Sequence, residues 1–151
     1  MKQLLLLSAV LLTFLYSSGQ TVQYDSTLAK KLGADEYGMK NYIFVILKTG
    51  PNKINDTKIL DSLFTGHLNN ITRLADEGKL IVAGPFGKNE KTYRGLFILN
   101  VTSFEEAEKL LQTDPTIKEK VLVAEMYNWY GSAALPSYLE VHRKIEKSKP
   151  Q

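Results

Sequence analysis

The stretch NYIFVILK, residues 41–48, decides the fold of this 151-residue chain. Its aromatic and β-branched residues predict a β-strand, and the glycine–proline pair at 50–51 ends it. Both the even-numbered and the odd-numbered residues between 42 and 47 are apolar, so both faces of the strand are apolar. We therefore expect other parts of the molecule to cover this strand on both sides.

Two helices and three more strands are predicted around it. Apolar residues recur at helical spacing from Leu60 to Ala75, and Ser103 with Glu106 forms a capping box that opens a second helix. Asp114 ends that region, because the proline after it disfavours helical geometry. The predicted elements are a strand over 41–48, a helix over 56–77, strands over 80–85 and 93–101, a helix over 103–111 and a strand over 121–130.

The order strand, helix, strand, strand, helix, strand is typical of the ferredoxin-like fold, which belongs to the α+β class. It predicts a four-stranded antiparallel sheet with two helices on one face, formed by residues 39–131. A polar lead-in over 20–38 precedes this domain. A C-terminal arm follows over 132–151 and includes a tail helix predicted over 138–147.

The sheet face without helices is also expected to be apolar, because the first and third strands are apolar on both sides. A bare face of that kind is too apolar for a monomer. We expect a second copy of the chain to cover it, which gives a homodimer. The alternative is that the segment over 131–147 covers this face within the same chain.

The first nineteen residues have the pattern of a signal peptide. Lys2 supplies a positive start, an almost unbroken apolar run extends from Leu4 to Tyr16, and small residues follow up to Gly19. The run is too short for an ordinary membrane span. We expect cleavage after Gly19 and a periplasmic or secreted protein with no membrane span after cleavage. The alternative is an uncleaved N-terminal anchor.

The amino-acid composition limits the kinds of catalytic and binding site that this chain can form. The chain has no cysteine and only two histidines, which excludes a thiol nucleophile and gives no pattern for a metal site. No phosphate-binding or dinucleotide-binding motif occurs, so no cofactor is expected. The 19 basic and 16 acidic residues give a formal charge of +3 and are interspersed, so nucleic-acid binding is not indicated.

His67 and Asp114 are the candidate catalytic residues. His67 lies on the apolar stripe of the long helix, three residues after Phe64, where an imidazole needs a hydrogen-bond partner. It is interpreted as a general acid or base, with Asp114 orienting its ring. The alternatives are a structural histidine and an aspartate that only ends a helix through an Asx turn.

Other residues are candidates for substrate binding. Glu125 shares a side of the fourth strand with Tyr127 and Trp129, so it is expected at an interface or in a pocket that raises its pKa. Its alternative is a salt bridge across the dimer, for example to Arg94. His142 is expected to be exposed. The predicted binding residues, besides His67 and Asp114, are Gly84, Pro85, Arg94, Glu125, Tyr127 and Trp129.

A set of short motifs resembles the YCII-related (YciI-like) proteins, over about residues 40–131. The motifs are GH at 66–67, NITRLADEGKL at 70–80, AGPFG at 83–87, RGLF at 94–97, EEA at 105–107 and DP at 114–115. The resemblance implies a ferredoxin-like domain in a dimeric α/β barrel. It also implies an active site built on a histidine and an aspartate, which match His67 and Asp114.

The same resemblance implies lyase-type or dehydrohalogenase-like proton transfer on small cyclic compounds. Two features depart from the family pattern. The signal peptide puts an intracellular role in doubt, and Thr116 stands where an apolar or aromatic residue is common.

Three functions remain open from the sequence. The first is a cofactor-independent enzyme in which His67 moves a proton on a small cyclic or aromatic substrate. The second is a dimer that binds a small molecule without chemistry. The third is an interaction protein whose apolar sheet face docks a larger partner.

Overall fold

The computed structural model describes residues 23–148. The predicted signal peptide over 1–19 lies outside them, as do residues 20–22 of the lead-in and 149–151 of the tail. A single 3₁₀ turn, Leu135–Ser137, precedes the last helix. The elements are α1 (Ser26–Leu32), β1 (Met39–Thr49), α2 (Thr57–Asp76), β2 (Leu80–Pro85), β3 (Tyr93–Leu99), α3 (Phe104–Leu111), α4 (Pro115–Lys118), β4 (Leu122–Ser132) and α5 (Tyr138–Ile145).

The four strands form one antiparallel sheet in the order β2-β3-β1-β4. This is the strand order of the ferredoxin-like fold, so the predicted fold class is confirmed. β1 is central and pairs with β4 along its whole length, from Met39 opposite Ser132 to Thr49 opposite Leu122. The 41–48 stretch, which the sequence predicted to be a strand, lies within β1.

Side-chain caps set the helix starts that the sequence predicted. The Asp56 carboxylate accepts hydrogen bonds from the backbone amides of Lys58 and Ile59 at the start of α2. The Ser103 hydroxyl accepts a bond from the Glu106 amide at the start of α3. Each cap satisfies amides that have no partner within the helix.

The short helix α4 was not predicted. Asp114 ends the region of α3, as expected, but its side chain also caps the next turn, and proline at the first helical position is favourable there. The third strand ends at Leu99 rather than at residue 101, and the fourth continues to Ser132. The tail helix ends at Ile145.

One face of the sheet packs against α2, α3 and α4. The core on this side takes side chains from all four strands, and the strand residues on it include Val45, Phe97 and Leu122. Leu74 of α2, Ala107 of α3 and Ile117 of α4 complete this core on the helix side. The predicted pair of helices on one face is present, with α4 added beside them.

The C-terminal segment covers part of the other face. Leu135 and Leu139 pack against a cluster that contains Tyr42, Ile81 and Ile98. The Tyr138 hydroxyl donates a hydrogen bond to the Ile81 carbonyl on edge strand β2. The alternative expectation, coverage within the chain, therefore holds for this part of the face.

The rest of that face, around Phe44, Leu96 and Tyr127, is half-buried or exposed. Within residues 23–148, no helix is both long enough and apolar enough to span a bilayer.

Candidate functional site

His67 and Asp114 form a hydrogen-bonded pair between α2 and α4. The distance from His67 Nδ1 to Asp114 Oδ2 is 2.5 Å. The side chains are 11% and 1% exposed, so the carboxylate is enclosed and the ring reaches the surface only in part. The structure thus brings together the two residues that the sequence nominated as catalytic.

A close contact between two helices makes this pairing possible. A Cβ added to Gly66 of α2 would lie 2.6 Å from Cγ of Pro115, well inside van der Waals contact. Glycine at this position lets α2 approach α4 directly. Because His67 follows Gly66 and Asp114 precedes Pro115, the same contact brings the imidazole and the carboxylate within hydrogen-bonding distance.

The second carboxylate oxygen of Asp114 is held by Thr116. Asp114 Oδ1 accepts bonds from the Thr116 amide at 2.9 Å and from the Thr116 hydroxyl at 2.6 Å. Burial alone raises the pKa of Asp114, but the hydrogen bonds from His67 and Thr116 and the attraction of a charged His67 outweigh it. The pKa of Asp114 therefore lies below its usual value, and the carboxylate is ionised at neutral pH.

Two aromatic rings flank the imidazole. The Phe64 ring meets it edge-on and the Phe97 ring lies nearly parallel to it, each with its centroid 6.0 Å away. Nε2 has no hydrogen-bond partner within residues 23–148, where no side-chain nitrogen or oxygen is buried without one. Nε2 is therefore the nitrogen that a substrate can reach.

A separate polar network lies further along α2. Buried Asn70 accepts hydrogen bonds through Oδ1 from the Arg73 guanidinium at 2.8 Å and from the Thr113 hydroxyl at 2.9 Å. Sequence reasoning did not find this network. The sequence signal for it is the spacing of three between Asn70 and Arg73, which makes the two polar side chains neighbours on one side of the helix.

The structure does not bring Glu125, Tyr127 and Trp129 to His67. Side chains alternate along a strand, and the even-numbered residues Ala124 and Met126 of β4 pack into the core under the helices. The three odd-numbered residues face the opposite side of the sheet, where Trp129 packs with the cluster under the tail. They do not line a pocket with His67 within one chain.

Glu125 also differs from its expected environment. Its Oε1 lies 2.7 Å from Nζ of Lys48 on the neighbouring strand β1, so its ion pair is within the chain and is not with Arg94. The hydrogen bond from Lys48 holds the pKa of Glu125 below its usual value. The expectation of a raised pKa was wrong, because a cation is paired with it across the strands.

Gly84, Pro85 and Arg94 lie near the end of the sheet where α2 begins. Gly84 and Pro85 end edge strand β2, just beyond Ala83, which lies opposite Phe97. Arg94 lines a groove whose wall includes Phe64. Arg94 is therefore connected to the His67 ring only through Phe64, and Gly84 and Pro85 lie on the edge strand at the same end of the sheet. The second histidine, His142, is exposed on α5, as expected.

Within residues 23–148, no three His, Asp or Glu side chains lie close enough together to hold a metal ion.

No family model matches this chain, and no curated protein matches it. Among solved structures it is similar to 5-chloro-2-hydroxyhydroquinone dehydrochlorinase (TftG) from Burkholderia phenoliruptrix AC1100, in complex with 2,5-dihydroxybenzoquinone. The two are 20% identical with a TM-score of 0.41, over 58% of this chain and 92% of that one. A likeness this distant carries no argument about activity.

Proposed function

We propose that the protein is an enzyme that transfers protons on a small cyclic or aromatic compound without a cofactor, with His67 as the acid–base group. The observation that supports this most directly is that the two nitrogens of the imidazole have different surroundings. Asp114 holds Nδ1, and Nε2 is left to the solvent side. The resemblance to the YCII-related proteins supports the substrate class.

The geometry supports Nε2 as the basic nitrogen. Ionised Asp114 is an acceptor, so the neutral ring carries its proton on Nδ1 and donates it to the carboxylate. The lone pair is then on Nε2, which takes a proton from a carbon or hydroxyl group of the substrate. Asp114 stabilises the imidazolium that forms, because opposite charges at this distance attract strongly when water is excluded.

Where the electron pair left on the substrate moves determines whether the reaction is an isomerisation or an elimination. In an isomerisation it moves to a neighbouring bond, and Nε2–H returns the proton to another atom. In an elimination it forms a double bond as a leaving group departs with its own electron pair. Both are lyase-type or isomerase-type steps that need one acid–base group and no metal.

Proton exchange tests this proposal and does not require the product to be identified. A panel of small cyclic and aromatic compounds is incubated with the protein in D₂O, and NMR detects incorporation of deuterium or formation of product. For the compound that reacts, His67→Gln should lower the rate about 10²–10⁴-fold. His142→Gln, which changes the other histidine, should keep it. Equal rates for His67→Gln and the unchanged protein would contradict the proposal, and a compound that binds without exchange would favour the non-catalytic alternative.

The proposal includes a homodimer formed through the open part of the sheet. This part carries half-buried Phe44 and Leu96 and the Tyr127 ring, which is 49% exposed. A second copy presents the same surface, so a two-fold pairing would bury these side chains on both sides. Glu125 and Tyr127 then belong to this interface rather than to the site at His67, whereas Trp129 packs with the cluster under the tail.

Sedimentation tests the dimer. The unchanged protein should have twice the chain mass, and Tyr127→Lys should shift it toward the monomer by placing a charge in the interface. Tyr37→Lys is the matched control, because Tyr37 is exposed and precedes β1 outside the sheet. A monomer mass for the unchanged protein at high concentration would refute the dimer.

The proposal also includes export to the periplasm or beyond the cell. The pattern of residues 1–19 supports it. Cleavage after Gly19 would make Gln20 the first residue of the exported chain, which N-terminal sequencing identifies directly.

A further inference from the structure

A cationic groove lies beside the His67 site, at the end of the sheet where β1 ends and α2 begins. Its volume is about 250 Å³. The polar side of its wall carries Asn52, Lys53, Asn55 and Arg94. The apolar side is provided mainly by α2 and the start of β4, through residues that include Leu60, Phe64 and Leu122.

The two cations of this groove are not compensated. Within residues 23–148, neither Lys53 nor Arg94 forms an ion pair, and no acidic side chain lines the groove. The only hydrogen bond that Lys53 Nζ donates there is to the Gly50 carbonyl, at 3.2 Å. Asp56 is close in sequence, but its carboxylate is occupied by the first amides of α2. A concave surface with two such charges attracts anions.

A bulge in β3 separates Arg94 from the strand pairing. Leu47 of β1 lies opposite Gly95, and the next residue, Lys48, lies opposite Tyr93, so Arg94 has no partner on β1. Bulges change the direction of a side chain and often occur beside functional sites. The sequence between Tyr93 and Gly95 thus places a guanidinium in the groove rather than over the flat sheet.

The groove and the imidazole share a wall. Phe64 lines the groove and meets the His67 ring edge-on. Phe97, which lies parallel to that ring, is three strand residues from Arg94, which corresponds to about 10 Å. A ring-sized compound with its reacting atom at Nε2 could therefore place a charged substituent near Arg94.

We propose that this groove binds a carboxylate group of the substrate, so that the compound on which His67 acts is an organic acid. This inference rests on the proposed function of His67. The planar guanidinium of Arg94 matches the two oxygens of a carboxylate. Lys53 adds a second charge, and Phe64 contacts the apolar body of the acid.

Binding of simple probes tests the proposal. Benzoate, its neutral analogue benzamide and inorganic phosphate are titrated into the protein and followed by NMR, including the side-chain Nε–H of Arg94. The variants are Arg94→Gln and Lys53→Gln. Arg143→Gln and Lys30→Gln are the matched controls, because both residues are exposed outside the groove.

Benzoate should bind more tightly than benzamide, and each groove variant should weaken benzoate about tenfold or more, while the controls bind it as the unchanged protein does. Three results would each overturn the carboxylate subsite: no binding of benzoate, equal binding of benzamide, or benzoate binding that Arg94→Gln leaves unchanged. Binding of phosphate but not of benzoate would also overturn it and would indicate a phosphate ester.

The two proposals fail separately. His67→Gln should bind benzoate normally, because the imidazole does not hold the carboxylate. If His67→Gln keeps the proton-exchange rate, the acid–base proposal is refuted whatever benzoate does. If Arg94→Gln leaves benzoate binding unchanged, the carboxylate subsite is refuted whatever His67 does.

Discussion

The two carboxylate oxygens of Asp114 have different roles: one caps a helix and the other binds the candidate catalytic histidine. Oδ1 accepts the amide and the hydroxyl of Thr116 and so caps α4, while Oδ2 accepts Nδ1 of His67. The two bonds from Thr116 orient the carboxylate independently of its hydrogen bond to His67. Both interpretations of the Asp-Pro pair, the Asx cap and the partner of His67, therefore hold at once.

The tautomer of His67 is the first prediction that follows. Because Asp114 can only accept, nitrogen-15 NMR of the neutral ring should show the proton on Nδ1. In Asp114→Asn the amide can turn its NH₂ group toward Nδ1, which moves the ring proton to Nε2 and removes the base. The proton-exchange rate should then fall although His67 is still present. A proton on Nε2 in the unchanged protein would contradict this account.

Sequence reasoning found the His67–Asp114 pair because both residues interrupt strong local patterns. His67 stands on an apolar stripe, and Asp114 stands before a proline. It misjudged Glu125 because the partner, Lys48, is 77 positions away along the chain. Strand pairing alone makes them neighbours, and no local pattern reports it.

At the scale of helices and strands, Gly66 is the point where α2 and α4 touch. Two helices approach this closely only where one of them has no side chain. The contact explains why the pair forms at this turn of α2.

Gly66→Ala should separate the pair. The added methyl would overlap Pro115, whose ring cannot rotate away, so α4 would have to shift relative to α2. We expect a loss of about 1–3 kcal/mol in the free energy of unfolding and a weakened His67 Nδ1 hydrogen bond, visible as a shift of its NMR signal. Gly84→Ala is the control, because a Cβ there meets nothing within 4 Å. Equal effects of the two changes would contradict the proposed role of Gly66.

The regular elements were predictable because their patterns are strong and local. The period of α2, the capping box at Ser103 and the apolar run of β1 each identified an element. Helix α4 was missed because a single turn has no period. The sequence does not decide whether the C-terminal segment packs on the second face, because Leu135 and Leu139 reach it through tertiary contacts that their own sequence does not specify.

At the scale of the whole molecule, the sheet separates the candidate site from the open apolar patch. The side with α2, α3 and α4 holds the His67–Asp114 pair and the cationic groove at its margin. The opposite side carries the tail and the open patch around Tyr127. A partner could therefore occupy the open patch without blocking Nε2, because the sheet lies between them.

The buried carboxylate predicts how the stability of the whole fold depends on pH. The pKa of Asp114 in the folded chain lies below its ordinary value of 3.8, so the folded state favours the ionised form. Its contribution is therefore complete above about pH 4–5 and is lost as the pH falls through the folded-state pKa. Urea unfolding between pH 2 and 7 should show this loss.

Asp114→Asn should lower the free energy of unfolding at pH 7 by about 2 kcal/mol and should flatten its decline in acid. Asp35 and Glu125 also have lowered pKa values, so some decline should persist in the variant. Asp61→Asn on the exposed side of α2 is the matched control and should follow the unchanged protein. If Asp114→Asn and the unchanged protein lost stability in parallel as the pH fell, the carboxylate would not be held ionised by His67 and Thr116. The assignment of the ring proton to His67 Nδ1, which depends on an ionised Asp114, would then be contradicted as well.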